Sequence, residues 1–518
     1  MSRPIPQPAE PSRQRDAAQP TAATRAPERE RVLTPEILTL AGVVVLGAIM
    51  TILDTTIVNV ALATLGRDFH TSISTIQWVA TIYLLAFASV IPLTGWAGER
   101  IGAKRLWLAS LGLFMVGSVL SGAAWSIGTL IAFRAVQGIG AGMIMPLGQS
   151  ILARAAGPER MGRVMSIVGV PMVLAPIAGP VLGGAIVEGA SWRWIFFINL
   201  PVGAVAVLLA ARLLPAVPPA PRQRLDALGL VLLSGGIGVF LYGLAEIGTH
   251  GTLANALPLG AVAVGAVLVA LFVWHAQRSR NPLLDMRLFA GRGFASGAAT
   301  NLLLGIALFG IQLLLALYFQ IARGQSPLAT GLLLIPQSIG AACAMPIAGS
   351  LTDKLGPRYV VATGVCLGLL GTAAYAQLGA ATSYWYLAAA LFVIGLGLGA
   401  TITPAMAAAY QAIDQHAIPH ATSALNTIQR IAGSLGTALL AVTLQRAISA
   451  QLPRFHGGLA QAAELAARNP ARTRSVLADA FGTTFWVAFA LTAAALVPAL
   501  LLPSETRTGG ASSRGNTR

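Results

Sequence analysis

Charged side chains are scarce in this chain. Asp, Glu, Lys and Arg make up 10% of its 518 residues, against 55% hydrophobic residues and a mean hydropathy of +0.73. That is too little polar surface to cover soluble domains of this size, so the solvent for most of the chain is lipid. Cysteine occurs twice, and Cys343 and Cys366 both fall inside apolar stretches. This disfavours a disulfide framework and a thiolate metal centre, and predicts two buried small hydrophobes. His416 and His420 straddle Pro419, which spoils a helical metal pair. The sequence also lacks a Gly-x4-Gly-Lys-Ser/Thr loop, which disfavours an ATP-driven pump, and lacks the clustered His, Asp or Glu of an embedded transferase. The expectation is therefore a protein that is not an enzyme, with no metal and no cofactor.

What the chain has in abundance is apolar runs. Stretches of about 20 mostly apolar residues, the length that crosses a bilayer, recur along nearly all of it. They predict helices at 38–61, 77–96, 106–124, 127–152, 163–187, 194–214, 226–247, 255–276, 297–320, 328–350, 358–378, 384–409, 422–448 and 482–502. An even number of spans puts both termini on one side. Arg100, Lys104 and Arg105, then Arg154, Arg160 and Arg163, then Arg222 and Arg224 fall in alternate connections, and Arg278, Arg280, Arg287, Arg292, Lys354 and Arg358 continue the series. Positive residues mark the cytoplasmic face, so both ends are expected there, in an inner membrane. The net charge of +16 is spread over loops in this way and reads as topology, not as a nucleic-acid surface.

Residues 1–34 mix Pro, Ala, Arg and Glu without an apolar core, which reads as a disordered cytoplasmic tail and not a cleavable signal; residues 504–518 read as a second tail. The 450–480 connection carries Arg454, Arg468, Arg472 and Arg474 yet must lie outside, as long late loops can. Its Leu459–Ala467 run suggests a short amphipathic surface helix.

An internal repeat organises the spans. Gly95-Trp-Ala-Gly-Glu99-Arg100-Ile-Gly102-Ala-Lys104 matches Gly349-Ser-Leu-Thr-Asp353-Lys354-Leu-Gly356-Pro-Arg358 at a constant offset of 254 residues. A second echo relates Gly138-Ile-Gly-Ala-Gly142 to Gly395-Leu-Gly-Leu-Gly399. Packing, not nucleotide binding, explains these glycines, because no strand precedes them. The chain divides into six-helix halves at 35–215 and 293–503, joined by a 216–292 segment whose two helices have no counterpart in the repeat. A substrate path is expected between the halves, near the bilayer midplane.

Several segments carry a resemblance to a known family. Leu53-Asp54-Thr-Thr-Ile57-Val-Asn59 resembles the first-helix signature of the fourteen-helix drug:proton antiporter branch of the major facilitator superfamily. The Gly95 segment is similar to that superfamily's loop motif, and Arg134-Ala-Val-Gln137-Gly138 to its fourth-helix motif. Gly179-Pro180-Val-Leu-Gly183-Gly184 resembles the antiporter motif of the fifth helix, and Trp192-Arg193-Trp194 through Asn199-Leu-Pro201 the start of the sixth. The likeness covers nearly everything after residue 35. It implies an all-α major facilitator fold of two six-helix halves plus two inserted helices. It also implies a proton-coupled exporter of amphiphilic, often cationic compounds that is driven by the proton gradient. Export of a lipid, fatty acid or siderophore, or work with a periplasmic adaptor docked at the 450–480 loop, is the alternative on the same fold. Partners are thus a small amphiphile, membrane lipid and an adaptor.

Physical chemistry supports some of these positions directly. A carboxylate inside a span costs about 2.5–3.5 kcal/mol on insertion scales, so Asp54 faces a partner or a cavity. It could exchange a proton, hold a cationic substrate, or simply bond to Thr55, Thr56 or Asn59. Arg134 cannot shed its charge and needs a polar partner, with Gln137 one turn on; coupling and a bond to backbone carbonyls are both open. Arg430 in the repeat-related helix raises the same question. Glu99 and Asp353 sit in glycine-bounded turns where a carboxylate can clamp a neighbouring helix N-terminus and so gate the cytoplasmic side. Glu99 stands where the family motif has Asp, and Ala103 where a basic residue is common, which leaves Arg100, Lys104 and Arg105 as substitutes. Pro171, Pro176 and Pro180 with Gly169, Gly179, Gly183 and Gly184 predict a bent, closely packed hinge. Gln149, Asn301, Gln312, Gln320, Gln337 and Gln429, with the aromatics Trp78, Tyr83, Phe309 and Tyr318, are further candidates for a cavity lining.

Overall fold

The computed structural model describes residues 34–157, 160–216, 224–250, 255–379, 382–451 and 470–504. The tail before residue 34, the Leu459–Ala467 run and the tail beyond residue 504 lie outside the described residues. Every regular element among those described is helical. The first half contains α1 (Pro35–Asp68), α2 (Ile73–Val90), α3 (Leu93–Ile101), α4 (Ala103–Gly122), α5 (Ile127–Ala156), α6 (Met161–Gly189), α7 (Trp194–Phe197) and α8 (Asn199–Leu213). Between the halves come α9 (Ala227–His250) and α10 (Ala256–Arg278). The second half contains α11 (Arg292–Leu317), α12 (Pro327–Leu333), α13 (Ile335–Leu355), α14 (Pro357–Ala376), α15 (Tyr384–Gly399), α16 (Ile402–Gln411), α17 (Ile418–Gln451), α18 (Pro470–Ala494) and α19 (Leu496–Leu500).

All of the expected spans are occupied by helix. Among the described residues 12 helices are long and apolar enough to cross a membrane, or 13 if α2 and α3, bent by 60°, form one span. The 29-residue α6 occupies the remaining expected position. It is helical from end to end, so its prolines do not break it. Helix α18 starts at Pro470, twelve residues before the expected start at 482, and α17 runs on to Gln451, so the described margins of the 450–480 connection are helical.

Short-range chemistry sets many of the ends. Thr34, Ser72, Ser126, Ser326 and Ser383 each accept a first-turn N–H with the side-chain oxygen, satisfying one of the donors a helix start leaves open. Helices α3 and α13 stop at Gly102 and Gly356, whose φ of 93° and 84° suit glycine, and α4 and α14 start at once.

Packing repeats as the sequence does. Helix α5 lies against α2 and α4 as α15 lies against α13 and α14, and α1 pairs with α6 as α11 pairs with α17. The paired glycines explain the closeness. Gly138 and Gly142 rest on the backbone carbonyls of Tyr83 and Phe87, and Gly395 and Gly399 rest on those of Gln337 and Ala341. Cys343 and Cys366 are free and exposed, which corrects the expectation of burial. A thiol behaves as a small hydrophobe and is as compatible with a lipid-facing helix side as with a core.

Of the two inserted helices, α9 is not peripheral. Leu244 and Ile247 of α9 form a buried cluster with Ala438 and Val442 of α17, and Tyr242 of α9 stacks on Trp78 of α2 with ring centroids 5.8 Å apart. Helix α9 therefore spans the seam between the halves. At the end carrying Arg100, Arg105, Arg154 and Arg292, hereafter the basic end, one buried cluster unites Ile37 and Leu152, Phe272 and Leu283, and Phe294 and Tyr410.

Candidate functional site

Helices α5 and α8 of the first half bond one carboxylate on α1, with α2 and α4 behind them. Asp54 lies in the middle of α1, 1% exposed, beside Arg134 of α5, also 1% exposed. Arg134 Nη1 donates to Asp54 Oδ2 at 2.6 Å and to Gln137 Oε1 at 2.7 Å. Gln137 Nε2 donates to Asp54 Oδ1 at 2.8 Å, and Asn199 Nδ2 of α8 donates to the same oxygen at 3.0 Å. Arg134 Nε reaches the Val79 carbonyl of α2 at 3.3 Å. Asn199 is itself held by Ser118 Oγ of α4 at 3.0 Å, whose hydroxyl donates to the Phe196 carbonyl at 2.8 Å. A buried ion pair is tolerable only when its remaining lone pairs and protons are bonded, and here both carboxylate oxygens are. The carboxylate presents no free face to a bound cation. Arg134 is itself shared between Asp54, Gln137 and the Val79 carbonyl.

The placements differ from the sequence-based set in two ways. Asn59 is exposed on α1 and has no bond to Asp54, while Asn199, absent from that set, completes the carboxylate's shell. A polar amide in the quoted sixth-helix motif was the available signal. Tyr83 is the second addition in role. Its ring lies under the Arg134 guanidinium, Cζ to centroid 4.0 Å, and lies tilted by 47° against Phe87 with centroids 6.2 Å apart.

The repeated loop segments join the halves at the basic end. Asp353 Oδ1 accepts the Gly162 N–H of the first turn of α6 at 3.1 Å, and Arg163 Nε stands 3.6 Å from Asp353 Oδ2. In the other copy, Glu99 Oε2 lies 3.5 Å from His420 Nε2 at the start of α17. Gly95 abuts the Pro419 carbonyl and Gly349 the Gly162 carbonyl, so each copy presses a glycine on the opposite half. Ser166 Oγ donates to the Met345 carbonyl and Ser423 Oγ to the Ile91 carbonyl, and Asn426 Nδ2 donates to Gln149 Oε1 at 2.8 Å. A chain of bonds extends this to the inserted helices. His420 Nδ1 pairs with the Leu283 carbonyl, the Leu283 N–H donates to Asp226, and Asp226 pairs with His275 of α10 at 2.8 Å. Arg100 is exposed, with Lys104 half-buried; neither bonds Glu99. Lys354 is exposed and Arg358 half-buried.

In α6, Gly179 lies against Thr56 and Gly183 against Ile57 of α1, whereas nothing approaches Gly184. Pro176 and Pro180 lie within the same turns of backbone. Gln312 and Gln320 are exposed, Asn301 is buried and bonded to the Gly297 carbonyl, and Gln337 is buried with its amide nitrogen unbonded among the described residues. Gln429 and Phe309 are half-buried, and Tyr318 sits in an aromatic core with Tyr375 and Phe481. No group of three His, Cys, Asp or Glu able to hold a metal exists among the described residues.

A sealed ion pair inside one of two repeated helical halves, with a seam closed at one end, is the build of a multi-pass membrane transporter and not of an enzyme. Residues 44–437 match the Major Facilitator Superfamily, and the chain belongs to that family. It is 39% identical over 489 residues, 90% of each chain, to a multidrug resistance protein B homolog of Mycobacterium tuberculosis. To the multidrug export protein EmrB of Haemophilus influenzae it is 34% identical over 408 residues, 78% of this chain and 79% of that one. Among solved structures, the human organic anion transporter MFSD10 aligns with a TM-score of 0.58 over 89% of this chain and 100% of that one. At 14% identity that likeness concerns the fold alone.

Proposed function

We propose that the chain is a proton-driven exporter of amphiphilic organic compounds in the inner membrane, with the basic end and both termini in the cytoplasm. The observation that carries this reading is the buried Asp54–Arg134 pair at 2.6 Å, a titratable group sealed inside a span. The names of the relatives, multidrug resistance and multidrug export proteins, support the substrate class. With Asp54 ionised, α1, α5 and α8 are drawn together. A proton arriving from outside removes the ion pair and frees Arg134. The seam at the basic end then exchanges for an opening there, where the proton leaves and the substrate enters.

The closed basic end corresponds to the outward-facing state of this cycle. Glu99–His420, Asp353–Gly162 and Asn426–Gln149 are the contacts that break on inward opening. A periplasmic adaptor belongs to the same reading as an outer partner, and pull-down with residues 452–469 deleted tests it. The reading as a whole is tested in everted vesicles. Addition of transported dyes or antibiotics should release protons from an acidified lumen, and silence toward every such compound would refute it.

A further inference from the structure

One face of the first turns of α17 is directed toward the first half. Pro419 meets Gly95, Ser423 bonds Ile91 and Asn426 bonds Gln149, so at these positions the seam is shut. Arg430 follows Asn426 by one turn on the same face, and there the contact stops. Its guanidinium lies over the Phe87 ring of α2, Cζ to centroid 4.0 Å, and the residue is exposed. The other sides of α17 are occupied. Ala432, Gly436 and Leu440 pack against α11, and Ala438 and Val442 against α9, which covers the α2–α17 seam from its outer flank. The exposure of Arg430 is therefore toward the cleft between the halves.

No counter-ion to the Arg430 cation is found among the described residues. Among the described residues Arg430 makes no hydrogen bond or ion pair, and α2, α5, α11 and α17 contain no Asp or Glu. The nearby carboxylate, Asp54, is saturated by Arg134, Gln137 and Asn199. A guanidinium in an apolar seam demands an acceptor, and its planar fork fits a carboxylate or sulfonate. The same fork already shows affinity for a flat ring at Phe87. We propose that Arg430 is the substrate-binding cation of the cleft and that the transported compounds include aromatic organic anions, the acid group on Arg430 and the ring beside Phe87.

This rests on the exporter reading and narrows its substrate class, replacing the cationic compounds that the sequence suggested. Proton and anion occupy different groups on different halves. They do not compete for one carboxylate, and exchange is coupled through the seam. The two groups are joined by a stack of side chains, Arg134 on Tyr83, Tyr83 on Phe87 and Phe87 under Arg430.

The test compares uptake of an aromatic sulfonate, 8-anilinonaphthalene-1-sulfonate, and an aromatic cation, ethidium, into everted vesicles with an acid lumen, read by filtration. Wild type should accumulate the sulfonate. Arg430→Ala should slow that uptake at least tenfold while changing any ethidium uptake less than twofold, and Arg430→Lys should keep part of it. Sulfonate uptake unchanged in Arg430→Ala overturns the proposal, as does an equal loss of both probes at normal expression. Ethidium transport with proton release but no sulfonate transport overturns the proposal and leaves the exporter reading standing. Movement of neither probe, with no proton release, removes both.

Discussion

Asp54 and Arg134, 80 residues apart in sequence, meet at 2.6 Å in the interior of the first half, and every bond to that carboxylate comes from within the same half. The carboxylate thus ties α1 to α5 and α8, and among the described residues the second half makes no bond to it.

Asn199 and Asn59 separate a positioning amide from a bystander. Asn199→Leu removes the donor to Asp54 Oδ1 and to Ser118 Oγ, at a cost of about 1–3 kcal/mol. The melting temperature of the detergent-purified protein should fall and transport should slow. Asn59→Ala should leave both unchanged. Equal effects of the two would remove Asn199 from the site.

The spans, the halves and the repeat were legible because lipid imposes long apolar helices and a duplicated segment repeats its glycines in register. An acid, an arginine and a glutamine inside spans stand out as residues that need polar partners, and they are found bonded to one another. Their pairing was not legible, because it depends on how α1, α5 and α8 are rotated about their axes, which nearly uniform apolarity does not encode. For the same reason Asn59 and Asn199 could not be ranked. Arg430 read as a coupling residue like Arg134, yet one is sealed against a carboxylate and the other stands exposed. The cysteines failed from the opposite side, as both core and lipid accept a thiol.

The seam contacts at the basic end should hold the closed state. In a background carrying Cys343→Ser and Cys366→Ser, a cysteine at the fully buried Ser423 should react slowly with a maleimide applied to everted vesicles. Asp353→Ala combined with His420→Ala removes the acceptor for Gly162 and the partner of Glu99, and should speed labelling several-fold. An unchanged rate would mean that these residues fix loop topology only.

Close helix approach places the stack that runs from Arg134 to Arg430. Gly138→Leu forces a side chain onto the Tyr83 carbonyl. Overpacking of this kind costs about 1–3 kcal/mol. Size-exclusion chromatography should show aggregation or a lowered melting temperature. Gly184→Ala, where nothing approaches the added methyl, should match wild type.

Helix α9 braces the seam. Tyr242→Ala removes the stack on Trp78 and should lower the melting temperature by a few degrees, while Trp274→Ala, whose ring is exposed and meets only Arg278 on its own helix, should not. Equal tolerance of both would contradict a bridging role for α9.

The central claim is that Asp54 carries the proton. Proton release from the acidified lumen of everted vesicles, followed with a pH-sensitive dye as a transported compound is added, measures it most directly. Wild type should release protons. Asp54→Asn, expressed to the same level, should release none while still exchanging labelled substrate across the membrane without a gradient. Proton release at the wild-type rate in Asp54→Asn would contradict the account and move the proton to another group.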